Sequence, residues 1–230
     1  TVEELAPVIE KFNTAKYDTY FALASFVSAG SRTADNALHL RSAFMDVDCG
    51  DGKPYATKQA GAEALDKFLQ DSGIGTLGNP WIVSSGGGLH VYWPFTENVP
   101  VKEWKAASEN LKRLCEKYDF KIDFSVTADA ARVLRVPETS NWKNKVKPRK
   151  VKILFSGATF DFAAFSAAVR GKLNGEARPA PALDIPGVRP QRTSTPSQIK
   201  IVQNSVTYFK NILVKTEQGK GCLQLKKYIE

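Results

Sequence analysis

The segment Pro80–Phe95, PWIVSSGGGLHVYWPF, constrains the fold more than any other part of the sequence. Two apolar runs rich in β-branched and aromatic residues flank three consecutive glycines, which is typical of two strands joined by a tight turn. A hairpin pairs its strands antiparallel, so we expect a sheet with antiparallel strands. Alternation along the second run predicts Leu89 and Trp93 in the core, and His90 with Tyr92 on the open side.

Helical and extended segments alternate around this hairpin. The sequence predicts helices over residues 53–73, 100–119 and 160–173, and strands over residues 39–48, 121–126, 132–137 and 150–157. Residues 1–37 are predicted to be a helix followed by a loop. This mixed order predicts an α+β fold, with helices on one face of a largely antiparallel sheet.

The composition changes sharply after residue 173. Five prolines among Gly, Arg and Thr predict an extended linker over residues 174–196. The sequence therefore divides into a compact domain at 1–173, this linker, and a helical segment at 197–230. We expect the chain to be a fragment of a larger protein, because it starts without Met and ends abruptly in LKKYIE.

Charge points to a polyanionic partner. The net charge is +8 and the isoelectric point is about 9.3. A generally basic surface would account for the total equally well, but Lys143–Lys152 contains six bases and no acid. Such a stripe attracts phosphates. Its candidate contacts to a nucleic-acid backbone are Lys145, Lys147, Arg149 and Lys150.

Cysteine usage and hydropathy exclude several classes of protein. Cys49, Cys115 and Cys222 are widely spaced and form no CxxC pair. We therefore expect neither a disulfide framework nor a zinc site, and we expect an intracellular, cytoplasmic location. No apolar run approaches the roughly 18 residues that span a bilayer, so no membrane contact is expected.

Two aspartates, Asp46 and Asp48, end the apolar strand predicted at residues 39–48. Residues two apart on a strand point the same way, so the carboxylates would repel each other unless a divalent cation such as Mg²⁺ or Mn²⁺ lay between them. Two solvated residues at a strand end are the competing interpretation. A glycosyltransferase or a metal-dependent nuclease would also use such a pair, whereas an EF-hand would need further ligands that are absent.

The glycine turn and the segment after residue 120 carry further candidates. Exposed amides in a glycine turn bind phosphate oxygens, although a merely flexible turn would look the same. The candidate phosphate contacts at the turn are Ser84, Ser85, Gly86, Gly87, Gly88 and His90. The later segment offers a third carboxylate, Asp123 or Asp129. It also offers groups that suit phosphates, namely Arg132, Arg135, Asn141 and Lys143.

Taken in order, MDVD, SSGGGLHVYW and DFSVTADAARVLRVPETSNWK resemble the archaeo-eukaryotic primase superfamily over roughly residues 38–150. The most similar branch is the primase-polymerases of phages and mobile elements. The resemblance implies that Asp46, Asp48 and Asp123 bind two Mg²⁺ or Mn²⁺ ions, with Asp129 as the fallback third ligand. It implies that His90 contacts the phosphates of the incoming nucleotide.

The resemblance also implies a fold and partners. The family joins an α/β unit to an RRM-like sheet, with the active site in the cleft between them, and Arg132, Arg135, Asn141 and Lys143 would line the nucleotide site. Expected partners are dNTPs or NTPs, a single-stranded DNA template with its primer, and in some relatives a downstream helicase joined by a segment like 197–230. A non-catalytic single-stranded-DNA or origin-binding module is the alternative.

Two positions depart from the family pattern. The serine that relatives carry two residues before the histidine is Gly88 here. A hydroxyl contact to the nucleotide must then come from Ser84 or Ser85. The glycine of the family's PGT turn is Glu138, which would place a carboxylate near the phosphates.

Overall fold

The computed structural model describes residues 2–175, which form a mixed α+β fold with antiparallel sheets. The helices are α1 (Val2–Thr14), α2 (Lys58–Asp71), α3 (Val101–Lys117), α4 (Phe124–Thr127) and α5 (Phe162–Leu173). The strands are β1 (Tyr20–Ala22), β2 (Ala24–Phe26), β3 (Ala37–Val47), β4 (Trp81–Ser84), β5 (Leu89–Pro100), β6 (Val133–Arg135), β7 (Ser140–Asn141), β8 (Arg149–Lys150) and β9 (Lys152–Phe155). Two short 3₁₀ turns lie at Ala34–Asn36 and Ile74–Leu77.

A five-stranded antiparallel sheet in the order β2-β3-β5-β4-β9 forms the centre. The predicted hairpin is confirmed: β4 and β5 pair, with Val83 opposite His90 and Ser84 opposite Leu89. On its other side β5 pairs with β3, which sets Asp46 directly opposite His90. Two small sheets accompany this one, β1 with β6 and β7 with β8.

Both faces of the central strands are covered. Every residue of β5 from Leu89 to Phe95 is buried, although neighbouring residues of a strand point to opposite faces. Phe44 of β3 stacks on Trp104 of α3 at 5.4 Å between ring centroids, and the Trp104 indole donates to the Ser42 carbonyl. The expectation of helices on one face with an open second face is therefore wrong for β5.

One predicted strand is absent. Residues 121–126 do not extend; they enter the short helix α4, with Asp123 as its N-cap accepting from the Ser125 amide at 2.9 Å. An Asp with Ser two residues later caps a helix well, and this local hydrogen bond outweighs the alternating apolar pattern.

The N-terminal region differs as well. β1, which was expected to be loop, pairs with β6 through Tyr20 opposite Arg135. The helix expected from residue 53 begins only at Lys58, because Thr57 caps it by accepting from the Ala60 amide.

The linker and C-terminal helix expected over 174–196 and 197–230 lie outside the described residues, apart from Asn174 and Gly175. None of the helices within residues 2–175 has both the length and the apolar character needed to cross a bilayer.

Candidate functional site

A cleft of about 710 Å³ opens beside the paired ends of β3 and β5. It gathers residues that lie far apart in the sequence. The predicted site residues that line it are Asp46, Asp48, Ser85, Gly87, Gly88, His90, Asp123, Arg132, Arg135, Asn141, Lys143, Lys147 and Arg149. The predicted residues that do not line it are Ser84, Gly86, Asp129, Lys145 and Lys150.

Three carboxylates form one wall of the cleft. Asp46 lies near the end of β3, Asp48 follows that strand, and both line the cleft. Asp123 joins them from a distant part of the chain, because its backbone amide donates to the Asp46 carbonyl at 2.8 Å. The N-terminus of α4 is thus tied to β3 by a backbone hydrogen bond.

The carboxylates of this wall repel one another. Burial, followed by the charges of Asp48 and Asp123, raises the pKa of Asp46 to about 7, against weaker opposition from Arg132 and Lys53. A carboxylic acid whose pKa is raised in this way gains most from a bound cation.

Each carboxylate also has a partner of its own. Lys53 Nζ lies 2.7 Å from Asp48 Oδ2, His90 Nε2 lies 3.9 Å from Asp46 Oδ1, and Asp123 Oδ1 accepts from the Ser125 hydroxyl at 2.6 Å. In the part of the chain that the structure describes, no three His, Cys, Asp or Glu side chains are arranged to hold one metal ion as they stand.

His90 lies at the bottom of the cleft rather than on an open face. The His90 side chain is only 5% exposed, and its Nδ1 lies 3.3 Å from the Tyr92 hydroxyl oxygen. Burial, with a smaller contribution from the Arg135 charge, lowers the pKa of His90 to about 3. The imidazole is therefore neutral at physiological pH, and it can donate one hydrogen bond to a ligand without carrying a charge.

The glycine turn is closed by internal hydrogen bonds and is closely packed at Gly86 and Gly88. The Ser85 amide donates to the Gly88 carbonyl and the Gly88 amide to the Ser85 hydroxyl, both at 3.0 Å. A Cβ on Gly88 would lie 2.2 Å from the Val47 carbonyl oxygen. Glycine at this position, where the superfamily that the sequence resembles carries serine, thus has a steric reason, since only glycine lets the chain before β5 approach β3 so closely.

The two serines of the turn have local roles. The Ser84 hydroxyl accepts from Lys58 Nζ at 2.9 Å and lies outside the cleft. The Ser85 hydroxyl closes the turn itself. Of the glycines, Gly87 and Gly88 line the cleft, whereas Gly86 packs against Asn141 and Arg149.

The segment after β6 clamps this turn from the other side. Asn141 Nδ2 donates to the Ser85 carbonyl at 3.0 Å, and Arg149 Nη1 donates to the Gly86 carbonyl at 3.4 Å. Glu138 adopts φ +66, a conformation that favours glycine, and it does not line the cleft. A backbone conformation that favours glycine is therefore adopted here by a glutamate, whose carboxylate does not line the cleft.

Two arginines face the carboxylates. Arg135 is held by Asp18, whose Oδ2 accepts from Nη2 at 3.0 Å, and its guanidinium lies 4.8 Å from the centre of the Tyr20 ring. Burial opposes ionisation of Asp18, but hydrogen bonds from Arg135 and the Trp142 amide lower its pKa overall. Arg135 is thereby fixed in place as a permanent positive charge.

Arg132 lies closer to the carboxylates. Its Nη2 donates to the Ser125 hydroxyl at 3.2 Å, and its Nε lies 3.8 Å from Asp129 Oδ2. Asp129 thus pairs with Arg132 and accepts from the Ala131 amide outside the cleft, whereas Asp123 lines the cleft. This geometry favours Asp123 over Asp129 as the third acid.

The basic stripe runs along the rim. Every residue from Lys143 to Lys150 is exposed, and within this stretch the Asn144 side chain caps a turn by accepting from the amides of Val146 and Lys147. Lys143, Lys147 and Arg149 line the cleft, whereas Lys145 and Lys150 do not. The stripe therefore lines one edge of the cleft with positive charge.

Sequence reasoning missed several residues of the site, of which Lys53, Asp18 and Tyr20 contact the predicted charged residues. Lys53 follows the aspartate pair in what was predicted to be a helix start, and Asp18 and Tyr20 lie in what was predicted to be loop. Only Lys53 had a signal, since the turn DCGDGK places a base five residues after Asp48. Asp18 and Tyr20 reach Arg135 through the β1–β6 pairing, which no local pattern reveals.

Comparison with known proteins finds a likeness in structure alone. No protein-family model matches the sequence, and no curated protein matches it either. The fold is similar to the AEP (archaeo-eukaryotic primase) domain of the cyanophage S-2L primase-polymerase, with a TM-score of 0.50 and 15% sequence identity over 71% of this chain and 76% of that domain. At this identity the likeness establishes an AEP-like fold.

Proposed function

We propose that this protein is a DNA primase-polymerase, a nucleotidyltransferase that makes or extends primers during replication of a phage or mobile element. It would add nucleotides from dNTPs or NTPs to a primer on a single-stranded DNA template. One observation carries the proposal: three carboxylates, a neutral histidine, a glycine turn and two arginines line one cleft. The AEP-like fold adds support.

The donor set fits divalent cations. Asp46, Asp48 and Asp123 supply hard oxygen ligands, and the raised pKa of Asp46 reflects burial first and then the unneutralised negative charge of Asp48 and Asp123. Bound by these residues, two Mg²⁺ or Mn²⁺ ions would activate a primer 3′-hydroxyl and neutralise the leaving pyrophosphate. Asp48 must exchange Lys53 for the cation, and Asp123 must share its bond to Ser125.

The remaining residues would position the triphosphate and the template. His90, neutral and buried, would donate a hydrogen bond to a phosphate oxygen, beside the amide of Gly87. Arg132 and Arg135 would stabilise negative charge that grows on the phosphates. The rim stripe would grip the template backbone without reading its sequence.

A non-catalytic single-strand-binding module is the competing function. Such a module on an RRM-like sheet binds bases on exposed aromatic rings. Here the aromatic residues of the paired strands β3 and β5, including Phe44, Tyr92 and Trp93, are fully buried, and a third carboxylate lies beside Asp46. Both features favour catalysis. A glycosyltransferase would leave the rim stripe without a role.

A primer-extension assay tests the proposal. The full chain is incubated with a primed single-stranded template, dNTPs or NTPs and Mn²⁺ or Mg²⁺, next to Asp48→Asn and Asp51→Asn. Asp48 and Asp51 both line the cleft and follow β3, but only Asp48 is among the charges that raise the pKa of Asp46, so only Asp48 belongs to the three-carboxylate wall. We expect extension by the wild type and by Asp51→Asn, and none by Asp48→Asn. Wild-type extension retained by Asp48→Asn would overturn the assignment, and binding without extension would favour the non-catalytic module.

A further inference from the structure

Lys53 is a cation already in place at the carboxylate wall. Its ammonium lies 2.7 Å from Asp48 Oδ2, and the negative charges of Asp46 and Asp123 also attract it. We infer that Lys53 is a resident counter-cation, a positioning residue that neutralises Asp48 until a divalent cation takes its place. The inference rests on the proposed function, because it concerns the same three carboxylates.

The backbone that carries Lys53 is fixed, whereas its side chain can leave. The Gly50 amide donates to the Tyr55 carbonyl at 2.8 Å, and the Lys53 amide donates to the Gly50 carbonyl at 3.1 Å. The side chains of Lys53 and Asp48 are 47% and 42% exposed. An ion pair as exposed as this one stabilises the protein very little, so its exchange for a more highly charged ion costs little.

Arg132 is the other cation that opposes the raised pKa of Asp46, and it is less free to move. Its guanidinium donates to the Ser125 hydroxyl and lies beside Asp129, and its side chain is only 29% exposed. Arg132 therefore remains when a cation arrives. Lys53 is the charge that can be exchanged, since only its flexible stem ends at a carboxylate of the wall.

Competition between Lys53 and the metal has a measurable consequence. Lys53→Met removes the competing charge without touching the core, so Mn²⁺ should bind about three- to tenfold more tightly. Lys53→Arg keeps the charge, and its Mn²⁺ affinity should stay near the wild-type value. Lys67→Met is the matched control. Lys67 is exposed and pairs with Asp71, so this change also removes one positive charge and one surface ion pair, but away from the cleft.

The test is a Mn²⁺ titration of the full chain without nucleotide, followed by the electron paramagnetic resonance signal of free Mn²⁺. We expect tighter binding for Lys53→Met alone, and loss of binding for Asp48→Asn. Unchanged or weaker binding by Lys53→Met, while the wild type binds Mn²⁺ through Asp48, would overturn the role of Lys53 and leave the proposed function intact. An equal gain for Lys67→Met would overturn it too, as a general charge effect.

Absence of Mn²⁺ binding by the wild type would show that the three carboxylates are not a metal site. The proposed function and the role of Lys53 would then both be overturned.

Discussion

Replacing Asp46 by Asn should stabilise the metal-free protein while abolishing its activity. In the fold the pKa of Asp46 is raised from 3.8 to about 7, first by burial and then by Asp48 and Asp123. Ionising Asp46 therefore costs more in the folded protein than in the unfolded chain. Asn is close in size and shape but cannot ionise, so it removes this cost.

The size of the stability gain from Asp46→Asn follows from the shift of the Asp46 pKa. A raised carboxylate pKa gives a contribution to stability that is intact below about pH 3.8 and is lost as the pH rises to about 7. Above that pH the full cost is about 4 kcal/mol, and about 1.5 kcal/mol of it is already present near pH 5. The gain from Asp46→Asn should therefore be about 2–3 kcal/mol larger near pH 8 than near pH 5.

Urea unfolding of the wild type and the variant at the two pH values, with a chelator present, measures this difference. Asp51→Asn is the control, since Asp51 is exposed, and its effect should be small at both pH values. An equal effect of Asp46→Asn at the two pH values would contradict the raised pKa of Asp46, and so would a loss of stability that grows with pH. Either result would mean that Asp46 is not a strained, buried carboxylate.

Three further outcomes are expected from unfolding experiments. Gly88→Ala should cost about 3 kcal/mol because its Cβ would meet the β3 carbonyl, whereas Gly87→Ala, with nothing within 4 Å, should cost under about 1 kcal/mol; equal costs would contradict the close approach. Asp18→Ala should cost about 2 kcal/mol, because it leaves the largely buried Arg135 without its carboxylate; a neutral result would contradict the hold of Asp18 on Arg135. The depressed pKa of His90 implies stability that is lost as the pH falls from 6.5 towards about 3, so His90→Gln should reduce this acid sensitivity by about 2–3 kcal/mol near pH 4.5; an unchanged pH profile would contradict the buried, neutral imidazole.

The hairpin was predictable because its determinants are local. Two apolar runs and three glycines specify both strands and the turn, and the aspartate pair lies at the end of an apolar strand. Alternation also grouped His90 with Tyr92 on one face correctly. It could not reveal that this face is covered, because a period of two shows which residues share a face and not what packs against them.

Contacts between distant segments were not predictable. α4 forms where alternation favoured a strand, since Asp123 caps the helix and its amide reaches the Asp46 carbonyl. β1 has only three residues and depends on β6 for its hydrogen bonds, so its sequence carries too little signal. Asp18 owes its place in the site to that pairing, across more than a hundred residues of sequence.

Template-specific incorporation of nucleotides is the most direct test of whether this protein is a primase-polymerase. The full chain is given a primed template of defined sequence, Mn²⁺ and one dNTP or NTP at a time, and single-nucleotide extension is measured. We expect the complementary nucleotide to be added and the other three not, and we expect Asp46→Asn to add none. Addition irrespective of the template, or addition by Asp46→Asn at the wild-type rate, would contradict this expectation.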